Sequence, residues 1–320
     1  LSNVIAIDVG YSHVKAVSKD GRIVLPSVVA PARELSLSEF AQKTGYLVTI
    51  QQSENPPRKY FVGELAIKEG QGATFTTDRE KHRHPNHDIL VLTVSKLLGA
   101  EPGATLVAGL PIAYYKAQKE ELQKHLEQLT AEVATGNGEP KQISFGRVVI
   151  YPQGAGALLK APLLANSGTV LLVDVGQKTT DYVTAEIVND VVRPIASLCG
   201  SIETAVSTVY DAFAVEFQAL TGSPISPVRV IEIVRGSGMV TFNGKEYDFR
   251  QLIRTIKENV SRSIFDQVQA ALGERFSFLS RIYLAGGGAL ALPMLADFFP
   301  NAIHIPEPQW ANAQGFLSIV

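Results

Sequence analysis

The sequence predicts a duplicated α/β protein, and three observations predict it. The motif Asp-Val-Gly closes an apolar run twice, as Asp8-Val-Gly10 after Val4-Ile-Ala-Ile and as Asp174-Val-Gly176 after Val170-Leu-Leu-Val. The two copies open the two halves of the chain. After each, apolar alternation resumes, in Val14-Lys-Ala-Val and in Tyr182-Val-Thr-Ala, which marks a hairpin strand rather than a helix. A lone Asp-x-Gly after a strand is ordinary turn chemistry; a matched pair across the midpoint is much harder to attribute to it. Backbone N–H groups of such turns suit a phosphate, and the carboxylates of Asp8 and Asp174 suit a hydrated Mg²⁺ held between them.

The first half reads as strands over Asn3–Asp8, Val14–Ser18 and Arg22–Val29, the last two joined by a turn at Lys19-Asp20-Gly21-Arg22. Residues 31–72 are broken and polar, with short strands at Leu47–Gln51 and Tyr60–Val62, and read as a small inserted lobe. Ile89, Leu92, Val94 and Leu97 predict a helix over Asp88–Leu98, stopped by Gly99. A strand at Thr105–Gly109 and an amphipathic helix at Lys116–Leu129 follow. Gly136–Pro140 is a connecting turn, Arg147–Tyr151 a strand, and a small-residue helix runs on through Leu164. Asn166-Ser-Gly168 divides the chain into domains 1–165 and 166–320.

The second half repeats the opening with strands at Thr169–Asp174, Asp181–Ile187 and Asp190–Ile195. A helix is expected from Gly200-Ser201 to about Phe217, within a second inserted lobe at about 197–249. Asn243-Gly244 predicts a type I′ hairpin inside Met239–Phe249. Phe249–Leu272 is a long helix and Ser280–Ala285 a strand, and Gly286-Gly287-Gly288 turns the chain into a further helix.

Composition sets the class. The 320 residues, 46% hydrophobic and 19% charged, describe an ordinary globular chain long enough for two cores, not a disordered one. A net charge of −2 provides no basic field, so direct DNA binding is not expected. The single Cys199 excludes an internal disulfide and, lacking a His–acid neighbourhood, reads as inert. No apolar run approaches the ~20 residues of a membrane span, and no charged-then-apolar leader appears, so a cytoplasmic protein is expected. His82, His84 and His87 lack a Cys or carboxylate cage and read as a polar loop before a helix. No Gly-x-x-x-x-Gly-Lys-Ser/Thr loop is present, so any nucleotide would be held by the hairpin turns.

The paired Asp-x-Gly turns, with the late strand ending in Gly286-Gly287-Gly288, resemble the layout of the actin-like ATPases. The resemblance implies their fold: duplicated ribonuclease H-like domains with small inserted lobes, hinged around a cleft for ATP and Mg²⁺. It implies that Asp8 is a metal-side carboxylate, that Gly10 is the turn glycine, and that Tyr11 and Ser12 offer backbone N–H groups. Lys15 falls where actins place a phosphate-contacting lysine; the plain alternative is a solvent-facing strand residue. Asp174-Val-Gly176-Gln177-Lys178-Thr179-Thr-Asp181 resembles the second phosphate loop, departing at Gln177 and Lys178, where glycines are usual. Lys178 would either contact phosphate or point to solvent. Gln153 in Tyr151-Pro-Gln-Gly-Ala-Gly-Ala157 would place the attacking water, or else is an N-terminal helix residue. Asp8, Asp174 and Gln153 form the implied catalytic set, with the metal held by Asp8 and Asp174 mainly through water.

Further along, Glu258 would meet ribose hydroxyls and Lys257 would flank the base. Gly286, Gly287 and Gly288 would floor a purine, adenine or guanine alike, so ATP and GTP are both accommodated. The same glycines fit a weak dinucleotide fingerprint, but no βαβ unit can follow to complete it. Leu106–Lys119, Lys59–Ala66 and the ending Trp310-Ala-Asn312-Ala-Gln-Gly315-Phe316 are similar to the ParM-like plasmid-segregation actins and their archaeal relatives. That branch implies an ATPase that polymerises with itself into nucleotide-dependent filaments and reaches plasmid DNA through a DNA-binding adaptor protein. Its rivals are a small-molecule kinase of the same fold, for which no extra catalytic carboxylate is found, and a nucleotide-binding scaffold.

Overall fold

The computed structural model describes residues 3–35, 45–71, 74–75, 80, 83–162, 167–189 and 191–320. The predictions that involve His82, Leu164, Asn166 and Asp190 therefore lie outside the described residues. The chain forms two compact units: residues 1–156 with 312–320, and residues 157–311. Division of the chain at 165/166 was expected; these units instead divide after Gly156, and the C-terminal segment returns to the first. The return has a packing cause, because the fully buried Phe316 ring fills space left by the missing side chains of Gly109 and Gly156.

Unit 1 contains β1 (Val4–Val9), β2 (His13–Ser18), β3 (Gly21–Pro26), β4 (Val28–Pro31), β5 (Tyr46–Gln51), β6 (Arg58–Val62), α1 (Glu64–Glu69), β7 (Thr74–Phe75), α2 (Pro85–Leu97), β8 (Ala104–Leu110), α3 (Ile112–Gln128), β9 (Thr130–Thr135) and β10 (Lys141–Pro152). α4 (Ala155–Leu158) carries the chain out of it. Strand order is β3-β2-β1-β8-β10-β9-β5-β6-β4-β7. β1 is paired on both edges, by antiparallel β2 and parallel β8. Ile5, Ala6 and Ile7 are all fully buried, so both of its faces are covered, which explains the unbroken apolar run before Asp8.

β10 joins the two ends of this sheet. Lys141–Ser144 pairs antiparallel with β9, and Phe145–Pro152 pairs parallel with β8, with an irregularity between Phe145 and Arg147. The region expected as a separate lobe is thus stitched into the main sheet through β9 and β5. β9 was not expected: the alternation of Thr130–Thr135 is short and its buried members are only Ala131 and Val133.

α2 begins three residues before the predicted Asp88 because His84 caps it, accepting from Asn86 N at 3.2 Å, and Pro85 takes the first helical position. It buries Ile89, Leu90, Val91, Leu92 and Val94, more than one face, against strands of the sheet. Asp88 ties α2 to α3, its Oδ1 lying 2.7 Å from His125 Nε2 and 3.6 Å from His87 Nδ1. Burial pushes the Asp88 carboxyl up, but hydrogen bonds from His87 and His125 outweigh it and hold the group below the ordinary carboxylate value. A depressed folded-state pKa stabilises above the ordinary range and stops doing so as pH falls through the folded value. Asp88→Asn should cost about 1 kcal/mol near neutrality, and urea titrations should show the gap to wild type closing in acid; a gap constant with pH would refute this role.

Unit 2 contains β11 (Ser167–Val175), β12 (Thr180–Val188), β13 (Val191–Pro194), β14 (Gly200–Ile202), α5 (Val206–Thr221), α6 (Pro227–Arg235), β15 (Met239–Phe242), β16 (Lys245–Asp248), α7 (Arg250–Leu272), β17 (Arg281–Ala285), α8 (Gly286–Ala291), α9 (Leu295–Phe298) and β18 (Ala302–His304). α10 (Ala311–Leu317) leads back to unit 1. The sheet runs β13-β12-β11-β17-β18, with β14 also on β12. α7 turns Ile253, Ile256, Val260, Ile264 and Val268 inward at helical spacing, and Phe213, Phe217 and Phe249 cluster between α5 and α7. Asn243 and Gly244 take φ of 50° and 75°, as the predicted hairpin turn requires.

One expected helix start moved. Gly200–Ile202 is a strand, and α5 begins only at Val206. Gly200 lies so near the Tyr182 ring that a Cβ would sit 2.5 Å from its hydroxyl, and the register sets Ser201 opposite Asp181. α6 was not expected, although Ser226-Pro227 marks its start: Ser226 caps Arg229 N. Among the described residues, no helix is long and apolar enough to cross a membrane.

Candidate functional site

The two Asp-x-Gly turns have the same construction. Gly10 N donates to His13 O at 3.1 Å, and Gly176 N donates to Thr179 O at 2.9 Å. A Cβ on Gly10 would lie 2.7 Å from its turn carbonyl, and one on Gly176 would lie 2.9 Å from its own. Both glycines are therefore required by the tightness of the turn. The strand register is shared too: Asp8 faces Lys15, and Asp174 faces Asp181.

The carbonyls of both turns are bonded inward. Gly10 O accepts from Ser27 Oγ at 2.6 Å and Ser12 O from Ser27 N at 2.9 Å. Gly176 O accepts from Val206 N at 3.4 Å and Gln177 O from Ser207 N at 2.7 Å, at the start of α5. No described peptide is cis, and across a trans peptide the N–H points opposite to the C=O. The N–H groups of Tyr11 and His13 thus turn away from Ser27, and those of Gln177 and Lys178 turn away from α5. Successive N–H groups in turns of this kind are chemically suited to an anion. Ser27, wholly buried, was not expected from sequence; a serine inside Leu25-Pro-Ser-Val-Val is its only trace.

The facing residues differ in charge. In unit 1, Lys15 Nζ sits 2.8 Å from Asp8 Oδ2, and Gln153 Nε2 donates to Asp8 Oδ1 at 2.6 Å. Asp8 and Gln153 are both buried. The Lys15 ammonium also lies over the turn, 3.1 Å from where a Cβ of Gly10 would stand. With three donors, it has capacity beyond Asp8 for an oxyanion. Both Asp8 oxygens are engaged, so this carboxylate suits a divalent ion through the ion's water shell.

In unit 2 the facing residues are both acids. Asp174 and Asp181 are buried and project from one face of the β11–β12 hairpin. Ser201 Oγ donates to Asp181 Oδ1, and Thr180 Oγ1 donates to Thr204 O at 2.8 Å. A concentration of carboxylate here is chemically suited to a hydrated Mg²⁺. Among the described residues, no group of three or more His, Cys, Asp or Glu is gathered to ligate a metal directly.

The glycine triplet is the first turn of α8 rather than a turn ahead of it. A Cβ on Gly286, whose φ is +83°, would overlap the Val175 carbonyl and Asp174 Oδ1; one on Gly288 would overlap the Val175 side chain. Two of the three glycines therefore serve close packing on β11. Gly287 is the open one, where a Cβ would meet only Gln309 Cγ at 3.8 Å. Lys257 on α7 is half-buried; burial, then the nearby Arg235 guanidinium, lowers its pKa. Glu258 is exposed beside it.

Residues 6–156 match the family described as actin like proteins N terminal domain, and residues 172–297 match archaeal actin homologue MreB-like, C-terminal. The chain is an actin-like protein. An archaeal actin homolog from Thermoplasma acidophilum is 24% identical over 98% of this chain and 97% of its own. Among solved structures, a 15-stranded ParM filament from Clostridium botulinum superposes with a TM-score of 0.85 at 24% identity, over 99% of this chain and 98% of that one. The archaeal actin homolog Ta0583 in complex with ADP superposes at 0.78 with 22% identity, over 98% of each chain. The fold implied by the paired turns is the fold these structures share.

In this actin-like protein the Trp310–Phe316 ending has a structural use that sequence reasoning had not assigned. Asn312 Oδ1 accepts from Gly154 N at 2.9 Å. Phe316 meets Tyr151 edge-on, with ring centroids 6.2 Å apart.

Proposed function

We propose that this actin-like protein binds and hydrolyses ATP with Mg²⁺ and polymerises into filaments whose stability follows the nucleotide state. The observation that carries the proposal is the pair of matched turns, each closed by a glycine beside a buried carboxylate with its carbonyls bonded inward. The relatives support it: one solved relative is a ParM filament and another holds ADP.

In this reading phosphate is bound through Gly10, Tyr11, Ser12 and Lys15 and through Gly176, Gln177, Lys178, Thr179 and Asp181. Mg²⁺, when bound, supplies charge neutralisation at the phosphates. Asp8 and Asp174 would hold such an ion, mainly through water. Gln153 gives its amide N–H to Asp8, which leaves Oε1 as the acceptor end that aligns a water. An amide is a poor base, but phosphoryl transfer passes through a loose transition state that chiefly needs alignment and charge compensation. Lys257 and Glu258 serve the nucleoside, with Gly287 the glycine open to a base; guanine is tolerated as well as adenine. Loss of the γ-phosphate removes contacts that favour the assembled state. A cytoplasmic plasmid-segregation role follows, with DNA reached through an adaptor because a net charge of −2 gives no basic field.

Light scattering after addition of ATP and Mg²⁺ tests this. A rapid rise that decays as phosphate is released is the expected result. Turnover stimulated by a small-molecule acceptor without scattering would indicate a kinase instead, and neither response would indicate a scaffold.

A further inference from the structure

We propose that Asn312, on the segment that re-enters unit 1, is a positioning residue that sets the orientation of Gln153. The inference rests on the hydrolytic reading above and names a determinant of the same reaction.

Both peptides flanking Gln153 are pinned. Its own N–H donates to Leu110 O at 2.7 Å, at the end of β8. The next N–H, that of Gly154, donates to Asn312 Oδ1 at 2.9 Å. Gly154 has φ of +76°, so the chain reverses direction here through a conformation that glycine tolerates. The Asn312 contact holds the 153–154 peptide plane from the Gly154 side. The side chain is then directed to Asp8 Oδ1 at 2.6 Å. A rotation of the 153–154 peptide would swing Gln153 away from Asp8 and move its carbonyl end.

The rest of α10 braces the same turn. A Cβ on Gly109 would lie 2.6 Å from the Phe316 ring and 3.2 Å from Gln153 Cγ, so the ring and the glutamine stem rest on one floor. A Cβ on Gly315 would overlap the Gly156 carbonyl, so the helix backbone lies directly on the residue where the chain leaves unit 1. Asn312 and Phe316 are buried, with Phe316 fully so. The segment thus contacts positions 151, 154 and 156, on both sides of Gln153. Asn312 is a buried polar side chain in this contact, and its oxygen goes to the peptide that orients the glutamine.

The test is steady-state ATP turnover by phosphate release, giving kcat and KM, for wild type, Asn312→Ala, Gln153→Ala and the double variant. Asn312→Ala should lower kcat on the order of 10- to 100-fold, as small misplacements of an aligning group do, with KM held within ~2-fold. In the Gln153→Ala background the same change should cost nothing further, since residues acting through one group are not additive. Asn312→Asp keeps an acceptor oxygen in place and should restore most of the turnover. A merely structural cap would lower activity equally in both backgrounds, which would overturn the proposal, as would wild-type turnover in Asn312→Ala. If Asn312→Ala does not fold, Asn312→Ser, whose hydroxyl is one bond short of Gly154, is judged by the same criteria. A wild-type protein with no ATP turnover overturns the hydrolytic reading itself; wild-type turnover with an indifferent Asn312 overturns this inference alone.

Discussion

Asp174→Ala should abolish ATP hydrolysis, with turnover falling on the order of 10²- to 10³-fold or more, while the protein remains folded. The two halves of that expectation have different origins. Asp174 is buried at the end of β11 beside the turn and directly opposite Asp181. Its removal takes away half of the carboxylate pair that suits a hydrated cation, so charge compensation at the phosphates is lost. The substitution leaves the β11–β12 backbone pairing in place, so the fold is not expected to be lost. Phosphate release measured beside a thermal melt separates the two effects. Undiminished turnover in a folded Asp174→Ala protein would exclude Asp174 from the reaction.

The second large effect is on stability. Gly286→Ala should cost about 2–5 kcal/mol, combining left-handed backbone strain with overpacking against a strand. The added methyl would overlap the Val175 carbonyl and Asp174 Oδ1, neither of which can move without disturbing β11. Gly287→Ala is the control: its methyl finds room, and alanine suits a helix, so stability should hold or rise by up to ~1 kcal/mol. Urea unfolding of the two variants decides the matter. Equal stabilities would mean that the triplet is not packed on β11 as described.

The legible parts of the fold were those written in local pattern. β1, β11 and their hairpin partners announced themselves by β-branched runs ending in Asp-Val-Gly, and Asn243-Gly244 by its need for two positive φ values. The failures were decided by distant residues. Gly200-Ser201 resembles a helix start, yet tertiary contact with Tyr182 and Asp181 draws it into a strand. β9 carries too few apolar residues to stand out, and its pairing with β5 and β10 cannot be inferred from six residues.

The candidate site divides in the same way. Asp8, Gly10, Asp174 and Gly176 lie in a repeated motif and could be picked out by it. The engagement of Lys15 with Asp8 was visible only as a spacing, and the fate of its ammonium depends on hairpin register. The packing of Gly286 and Gly288 on β11 was not legible, because Val175 is more than a hundred residues earlier in the chain. Ser27 and Asn312 carried no motif of their own that named a role, since each acts by accepting or donating to a backbone group far from it in sequence.

Residues 312–320 leave the ribosome after every residue of unit 2, yet they complete unit 1. Until they arrive, a nascent chain carries an open apolar slot over Gly109 and Gly156 and an unanchored Gly154 peptide. The amino-terminal unit therefore cannot mature first and wait for its neighbour, as successive domains on one polypeptide ordinarily do. Its final closure waits on a segment made after unit 2, so a product truncated before Asn312 retains both Asp-Val-Gly turns but lacks the brace on Gln153.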